Sequence, residues 1–245
     1  MSKKVKKVKQ EVQDTSPYVW QRDKINFDFS IRALKWTEKQ QKFLDLALSK
    51  ETKILFVKGA AGTTKTFLSV FVGLELLKSK KVSEIVLVRT PVESADSKLG
   101  FLPGDLSEKI GVYIEPFRDK LDELISEDTI RRLERDKRLL IRPVNFARGL
   151  HWAAKAIIAD ECQNFTSNEL KTLLTRIGQF TKVILCGDPE QSDLPNGKGK
   201  SFEQVCDLFN TDEAKEQGIH VFEFTDDDIL RSEIVKFIVK TFRGL

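Results

Sequence analysis

The sequence predicts an α/β domain with a mainly parallel sheet flanked by helices on both faces. Three observations predict it. Six short β-rich runs recur along the chain with helical patterns between most of them, the alternation that builds parallel sheets. Several runs are continuously apolar rather than alternating, which fits strands covered on both sides. The length of 245 residues suits one substantial domain with a short extension.

Taken in order, residues 1–16 are charged and aperiodic and read as a flexible basic arm. Residues 17–36 carry Tyr18, Trp20, Phe27, Phe29 and Trp36 and read as an N-terminal appendage packed on the core. The domain proper is expected over 37–245. Thr37 suits a helix N-cap, and the segment after it repeats apolar residues on one face at Phe43, Leu44, Ala47 and Leu48. Strands are expected at 53–59, 84–90, 138–144, 156–161, 182–188 and 220–224. Helices are expected at 65–79, 116–126, 167–178 and about 226–242.

Composition narrows the class of function. A hydrophobic share of 40% and a charged share of 32% are those of a globular protein in water. No run approaches the ~20 apolar residues that span a bilayer, and the N-terminus has no apolar segment of the secretory kind. Membrane association is not expected, and a cytoplasmic location is. The net charge is +4, and five lysines without an acid fall in the first ten residues. The remainder therefore carries about −1, so total charge alone does not mark a nucleic-acid binder. Cys162, Cys186 and Cys206 lack metal-type spacing and read as small buried thiols in a reducing compartment.

The segment GAAGTTKT, 59–66, matches G-x-x-x-x-G-K-[ST] at Gly59, Lys65 and Thr66. An apolar strand precedes it and an apolar helix follows. Phosphates lie close to the backbone N–H groups of such a loop, so small residues are needed; Gly59, Ala60, Ala61 and Gly62 supply them, with Thr63 completing the turn. The positive end of the next helix adds favourable field. Lys65 is expected on the β- and γ-phosphates of ATP and the Thr66 hydroxyl on Mg²⁺. Thr64 stands where the pattern has its second glycine, and a β-branched residue is strained if that position needs φ > 0.

Two further strands end in chemistry. The run KAIIADECQ (155–163) closes on Asp160 and Glu161, and parallel sheets bind ligands at the carboxyl ends of their strands. Asp160 is expected in the magnesium shell and Glu161 as the base that polarises water. The run KVILCGDPEQSDLP (182–195) ends in Gly187 and Asp188, with Gln191 three residues on, placed to sense the γ-phosphate.

These segments resemble a known family. GAAGTTKT, DECQN and GDPEQSDLP are similar to the phosphate loop, the DEAQN motif and the GD-x-x-Q-x-DLP motif of PhoH-like ATPases. VRTPVESADSKLGFLPGDLSEKI (88–110), FARG (146–149) and LTRIG (174–178) are similar to further segments of that family. The likeness spans about 37–242. It departs at Thr64, where the family has glycine, and at Cys162, where it has alanine.

The resemblance implies a RecA-like P-loop NTPase, related to the first motor domain of superfamily-one helicases, that couples ATP hydrolysis to single-stranded nucleic acid, RNA ahead of DNA. It implies that Gln40 contacts adenine and that Trp36 or Phe43 stacks on it, with Phe43 the better core residue. It makes Arg89, Lys98 and Arg148 candidates for strand phosphates, and Arg231 or Arg176 the arginine finger. One motor domain implies completion by a neighbour, and the expectation is a homo-oligomeric ring, possibly a hexamer. Two alternatives stay open: an ATPase switch or remodeller acting on protein, and a nucleotide-binding module impaired in hydrolysis at Thr64.

Overall fold

A computed structural model describes residues 24–90, 106–144, 152–192, 194, 201–229, 234 and 241; for 106–114 it describes the helix path alone. In chain order the elements are α1 (Glu38–Leu48), β1 (Ile54–Lys58), α2 (Lys65–Lys78), β2 (Glu84–Arg89), α3 (Leu106–Leu124), α4 (Glu127–Arg135), β3 (Leu139–Pro143), β4 (Lys155–Asp160), α5 (Ser167–Leu174), β5 (Lys182–Gly187), α6 (Ser201–Phe209), α7 (Asp212–Glu216) and β6 (Ile219–Glu223).

The six strands form one sheet in the order β3-β2-β4-β5-β1-β6, and every pairing in it is parallel. All carboxyl ends therefore open on the same edge. The apolar runs explain themselves once the two faces are separated. Leu55, Val57, Ile85, Leu87, Ile158 and Ile184 face a core shared with α1, α2, α3 and α4. Their chain neighbours Phe56, Val86, Ile157, Val183 and Leu185 face a second core with α5 and α6. Successive strand residues point to opposite faces, so a strand between two helical layers must be apolar at both sets of positions.

The helix starts are set locally. Thr37 and Gln40 form a reciprocal capping box on α1, and Thr166 and Glu169 form another on α5. At the far end of α1, the buried Lys182 donates to the carbonyls of Ala47 and Ser49. Residues 24–36 lie along the first core: Ile25 and Phe29 are buried, and the Arg132 guanidinium sits 3.8 Å from the Phe27 ring centre. Tyr18 and Trp20 fall outside the described residues.

Several expected boundaries need correction. The third helix begins at Leu106, and Pro116 lies inside it, not at its start. α5 stops at Leu174, four residues early. The expected last helix does not start at Asp226, where Asp226–Asp228 form one 3₁₀ turn; beyond Ile229 only Ile234 and Thr241 are described, and both are helical. Helices α4, α6 and α7 were not anticipated. The three cysteines are free and buried, with burial pushing Cys186 and Cys206 up to about 12.

Candidate nucleotide site

The carboxyl ends of β1, β4 and β5 converge on one cleft of about 510 Å³. Its walls include Ala61, Gly62, Thr64, Lys65 and Thr66 from the loop, Asp160 and Glu161 from the end of β4, and Gly187, Asp188 and Gln191 from the end of β5. Gln40, Trp36 and Phe67 form the side next to α1.

The loop is built by close contacts. Gly59 has φ 155°, and a Cβ there would stand 2.9 Å from Phe224 Cβ and 3.1 Å from Thr63 Oγ1, so only glycine fits. The Thr63 hydroxyl is buried and donates to the Ala60 carbonyl at 2.8 Å. Lys65 folds back, its ammonium on the carbonyls of Gly59 and Ala60 at 2.6 and 2.7 Å. Burial pushes its pKa down from the ordinary lysine value, against the pull of surrounding acids such as Asp188 and Asp160. Thr64 has φ 61°, the left-handed conformation that the glycine pattern requires and that a β-branched residue resists.

The acidic end faces the loop. Thr66 Oγ1 donates to Asp160 Oδ1 at 2.6 Å across 94 residues of sequence. Asp160 is 6% exposed, and burial, reinforced by Glu161, holds its carboxyl above the ordinary aspartate range. A hydroxyl and a carboxylate oxygen in contact at a parallel-sheet edge are hard donors of the kind magnesium accepts, so the pair fits that ion. Glu161 has φ 54°, an unusual dihedral that places its carboxylate between two donors. Arg89 Nη2 reaches one oxygen at 3.3 Å and Gln163 Nε2 the other at 2.6 Å.

The sequence assigns no role to Gln163 or Lys120, and marks Asp188 only as the end of a strand. Gln163 links the acidic ends: besides holding Glu161, its Oε1 accepts the Asp188 N–H at 3.0 Å. Asp188 Oδ2 accepts the Ala61 N–H at 3.1 Å, so a loop N–H is already turned toward an anionic oxygen. Lys120 enters from α3. Gln163 lies within DECQN and carried a signal; Lys120 is one charged helix residue among many.

Other expected residues separate. Trp36 lines the cleft with its ring edge-on to Phe71 at 4.9 Å, whereas Phe43 is fully buried against Phe222 and Phe224. Arg89 stands at Glu161 rather than free on the surface. Arg176 is not brought to the cleft of its own chain: α5 runs back from the active edge, and the Arg176 carbonyl accepts the Trp152 N–H just ahead of β4. That is the opposite end of the strands, out of reach of this chain's own cleft. Arg231, Lys98 and Arg148 lie outside the described residues.

A parallel sheet whose β1 runs through a glycine-rich loop into α2, with the β4 aspartate on the first threonine of that helix, defines a RecA-like P-loop NTPase fold. The family model for PhoH-like protein matches residues 33–243. The chain belongs to the PhoH-like family. It is 35% identical over 206 residues to a PhoH-like protein of Mycobacterium bovis, covering 84% of this chain and 56% of that one. A PhoH-like protein of Bacillus subtilis is 34% identical over 80% of this chain and 60% of its own. Protein PhoH of Escherichia coli K12 is 34% identical over 80% of this chain and 54% of its own. The chain thus spans little more than half the length of these relatives. Among solved structures, the Pif1 helicase from Candida albicans is similar at 16% identity and TM-score 0.39, over 79% of this chain and 40% of that one. A Bacteroides Pif1 helicase in complex with ADP-AlF3 and ssDNA is similar at 17% identity and TM-score 0.36, over 79% of this chain and 42% of that one. No described helix is long and apolar enough to cross a membrane.

Proposed function

We propose that this chain is a Mg-dependent ATPase whose turnover is coupled to single-stranded nucleic acid, RNA ahead of DNA. The observation that carries the ATPase reading is the 2.6 Å contact between Thr66 and Asp160, which joins the phosphate loop to the acidic strand end. Thr66 and Asp160 would hold magnesium, which would supply positive charge to offset the negative charge that develops on the transferring phosphoryl group. Lys65 would leave the Gly59 and Ala60 carbonyls for the β- and γ-phosphates, an exchange that also favours its charged form. Glu161, gripped at both oxygens by Arg89 and Gln163, would take a proton from the attacking water as the γ-phosphoryl oxygen bond to ADP breaks. Gln191, beside Asp188 on the cleft wall, would read the γ-phosphate.

The base side of the cleft, with Trp36 and Gln40, suits adenine by its likeness to the family pattern. The arginine finger is Arg231, or Arg176 supplied by a neighbouring copy. The latter follows from Arg176 standing at the far end of the strands from its own cleft. A closed homo-oligomeric ring, hexameric in its simplest form, would deliver it; mass measurement with and without ATP tests this, and a monomer in both would exclude it. The nucleic-acid track rests on the family likeness of segment 88–110.

ATP turnover with and without single-stranded RNA and DNA, beside Lys65→Ala, tests the reading. Turnover that rises with RNA and vanishes in the variant supports it. Lys65-dependent turnover indifferent to both strands would leave an ATPase switch acting on protein.

A further inference from the structure

Thr64 is the loop residue whose own side chain opposes the backbone it adopts. Its φ of 61° and ψ of 17° are left-handed, a conformation that costs a β-branched residue energy and persists only where neighbours enforce it. The conformation matters because it carries the loop into α2: the Thr64 carbonyl accepts the first helical N–H, from Leu68, at 2.9 Å. The Thr64 side chain makes no cap bond on α2. Its hydroxyl instead accepts from Gln40 Nε2 at 3.0 Å, across from α1.

Gln40 is itself fixed. It is 6% exposed. Its Oε1 accepts the Thr37 N–H at 2.9 Å, and its own N–H donates to Thr37 Oγ1 at 3.2 Å. One amide therefore ties the cap of α1 to the strained corner of the phosphate loop. A left-handed threonine left alone would relax toward negative φ, and the path of the loop into α2 would change with it. The bond from Gln40 opposes that motion from a rigid, capped helix. Glycine at this position would need no such support.

We propose that Gln40 is a positioning residue for the phosphate loop, acting through the Thr64 hydroxyl. The chain has replaced a glycine's conformational freedom by a bridge from α1, and the loop keeps its nucleotide-receiving shape because that bridge is present. This rests on the nucleotide-site reading above. It differs from a direct contact between Gln40 and the base, because such a contact does not depend on what occupies position 64.

The test is a double-mutant cycle of Gln40→Ala and Thr64→Gly in the full chain, read as MgADP and MgGDP affinity and as Tm without nucleotide. Gln40→Ala alone is expected to weaken MgADP about fivefold, the worth of one such hydrogen bond. In the Thr64→Gly background the same change is expected to stay within about twofold. MgGDP is expected to fall in parallel with MgADP, since the loop and not the base is affected. Thr64→Val, which keeps the branched shape without the hydroxyl, is expected to match Gln40→Ala; Thr64→Ser is expected to retain wild-type affinity. Equal losses in both backgrounds, or a loss confined to MgADP, would overturn the proposal in favour of base contact. A fall in Tm with unchanged affinity would also overturn it and leave Gln40 as a helix cap only. If the wild type binds no MgADP, the nucleotide reading itself fails; binding with an additive cycle removes the Gln40 bridge alone.

Discussion

At the scale of single residues, the site combines groups that stability alone would not choose. Asp160 is buried with its carboxyl held above the ordinary value of 3.8, so its charge is a cost at neutral pH. The folded state binds more protons than the unfolded one just above that value, and its stability falls as pH rises through the window. Asp160→Asn keeps an oxygen for Thr66 while removing the charge. Its Tm without nucleotide is expected to rise by about 2–4 °C, the effect of ~1 kcal/mol in a chain of this size, while magnesium-dependent nucleotide binding is lost. Thermal denaturation beside MgATP titration checks both; an unchanged magnesium dependence would remove Asp160 from the metal shell. Thr64 and Glu161 add two left-handed dihedrals on non-glycine residues, and both line the cleft, where strain is commonly retained for function.

At the scale of elements, the end of β5 and the end of α1 are the sensitive points. A Cβ on Gly187 would lie 2.6 Å from the Phe202 ring, and that ring is fully buried. Gly187→Ala is expected to destabilise by about 1–3 kcal/mol through overpacking, visible as a lower Tm; no change would mean that α6 yields freely. Lys182 closes the C-terminus of α1 through Ala47 and Ser49, and burial lowers it from 10.5 to about 8. Between those values the unfolded state holds the proton more firmly, so this residue adds stability as pH rises from about 8 to 10.5. Stability of wild type relative to Lys182→Met is expected to grow across that window; a flat difference would contradict the shift. The sequence made β1, β2, β4 and β5 legible because each is a short, mainly apolar run ending in a polar or glycine residue. It made α2 legible because the phosphate loop announces its start. It hid α4, whose buried side chains are only Ile130 and Leu133 among charged residues, although Ser126 and the first-turn acids signalled its start. It placed the start of α3 at Pro116, which the chain instead carries within the helix.

At the scale of the molecule, the parallel sheet gathers distant motifs on one edge: Thr66 and Asp160 meet because β1 and β4 run the same way with β5 between them. The motifs told which residues to expect at that edge. They could not tell that Gln163 and Asp188 would join β4 to β5, because such links depend on side-chain direction. Nor could they show that α5 carries Arg176 away. Ligand binding to the folded state alone stabilises by mass action, so MgATP at about 100 times its Kd is expected to add ~2.7 kcal/mol, read as a higher Tm in wild type and none in Lys65→Ala. The most direct measurement is calorimetric titration of wild type and Lys65→Ala with ATP, with and without magnesium. One site per chain in wild type, weakened without magnesium and lost in Lys65→Ala, is the expected result. No binding in wild type, or equal binding in the variant, would contradict the assignment of this cleft to nucleotide.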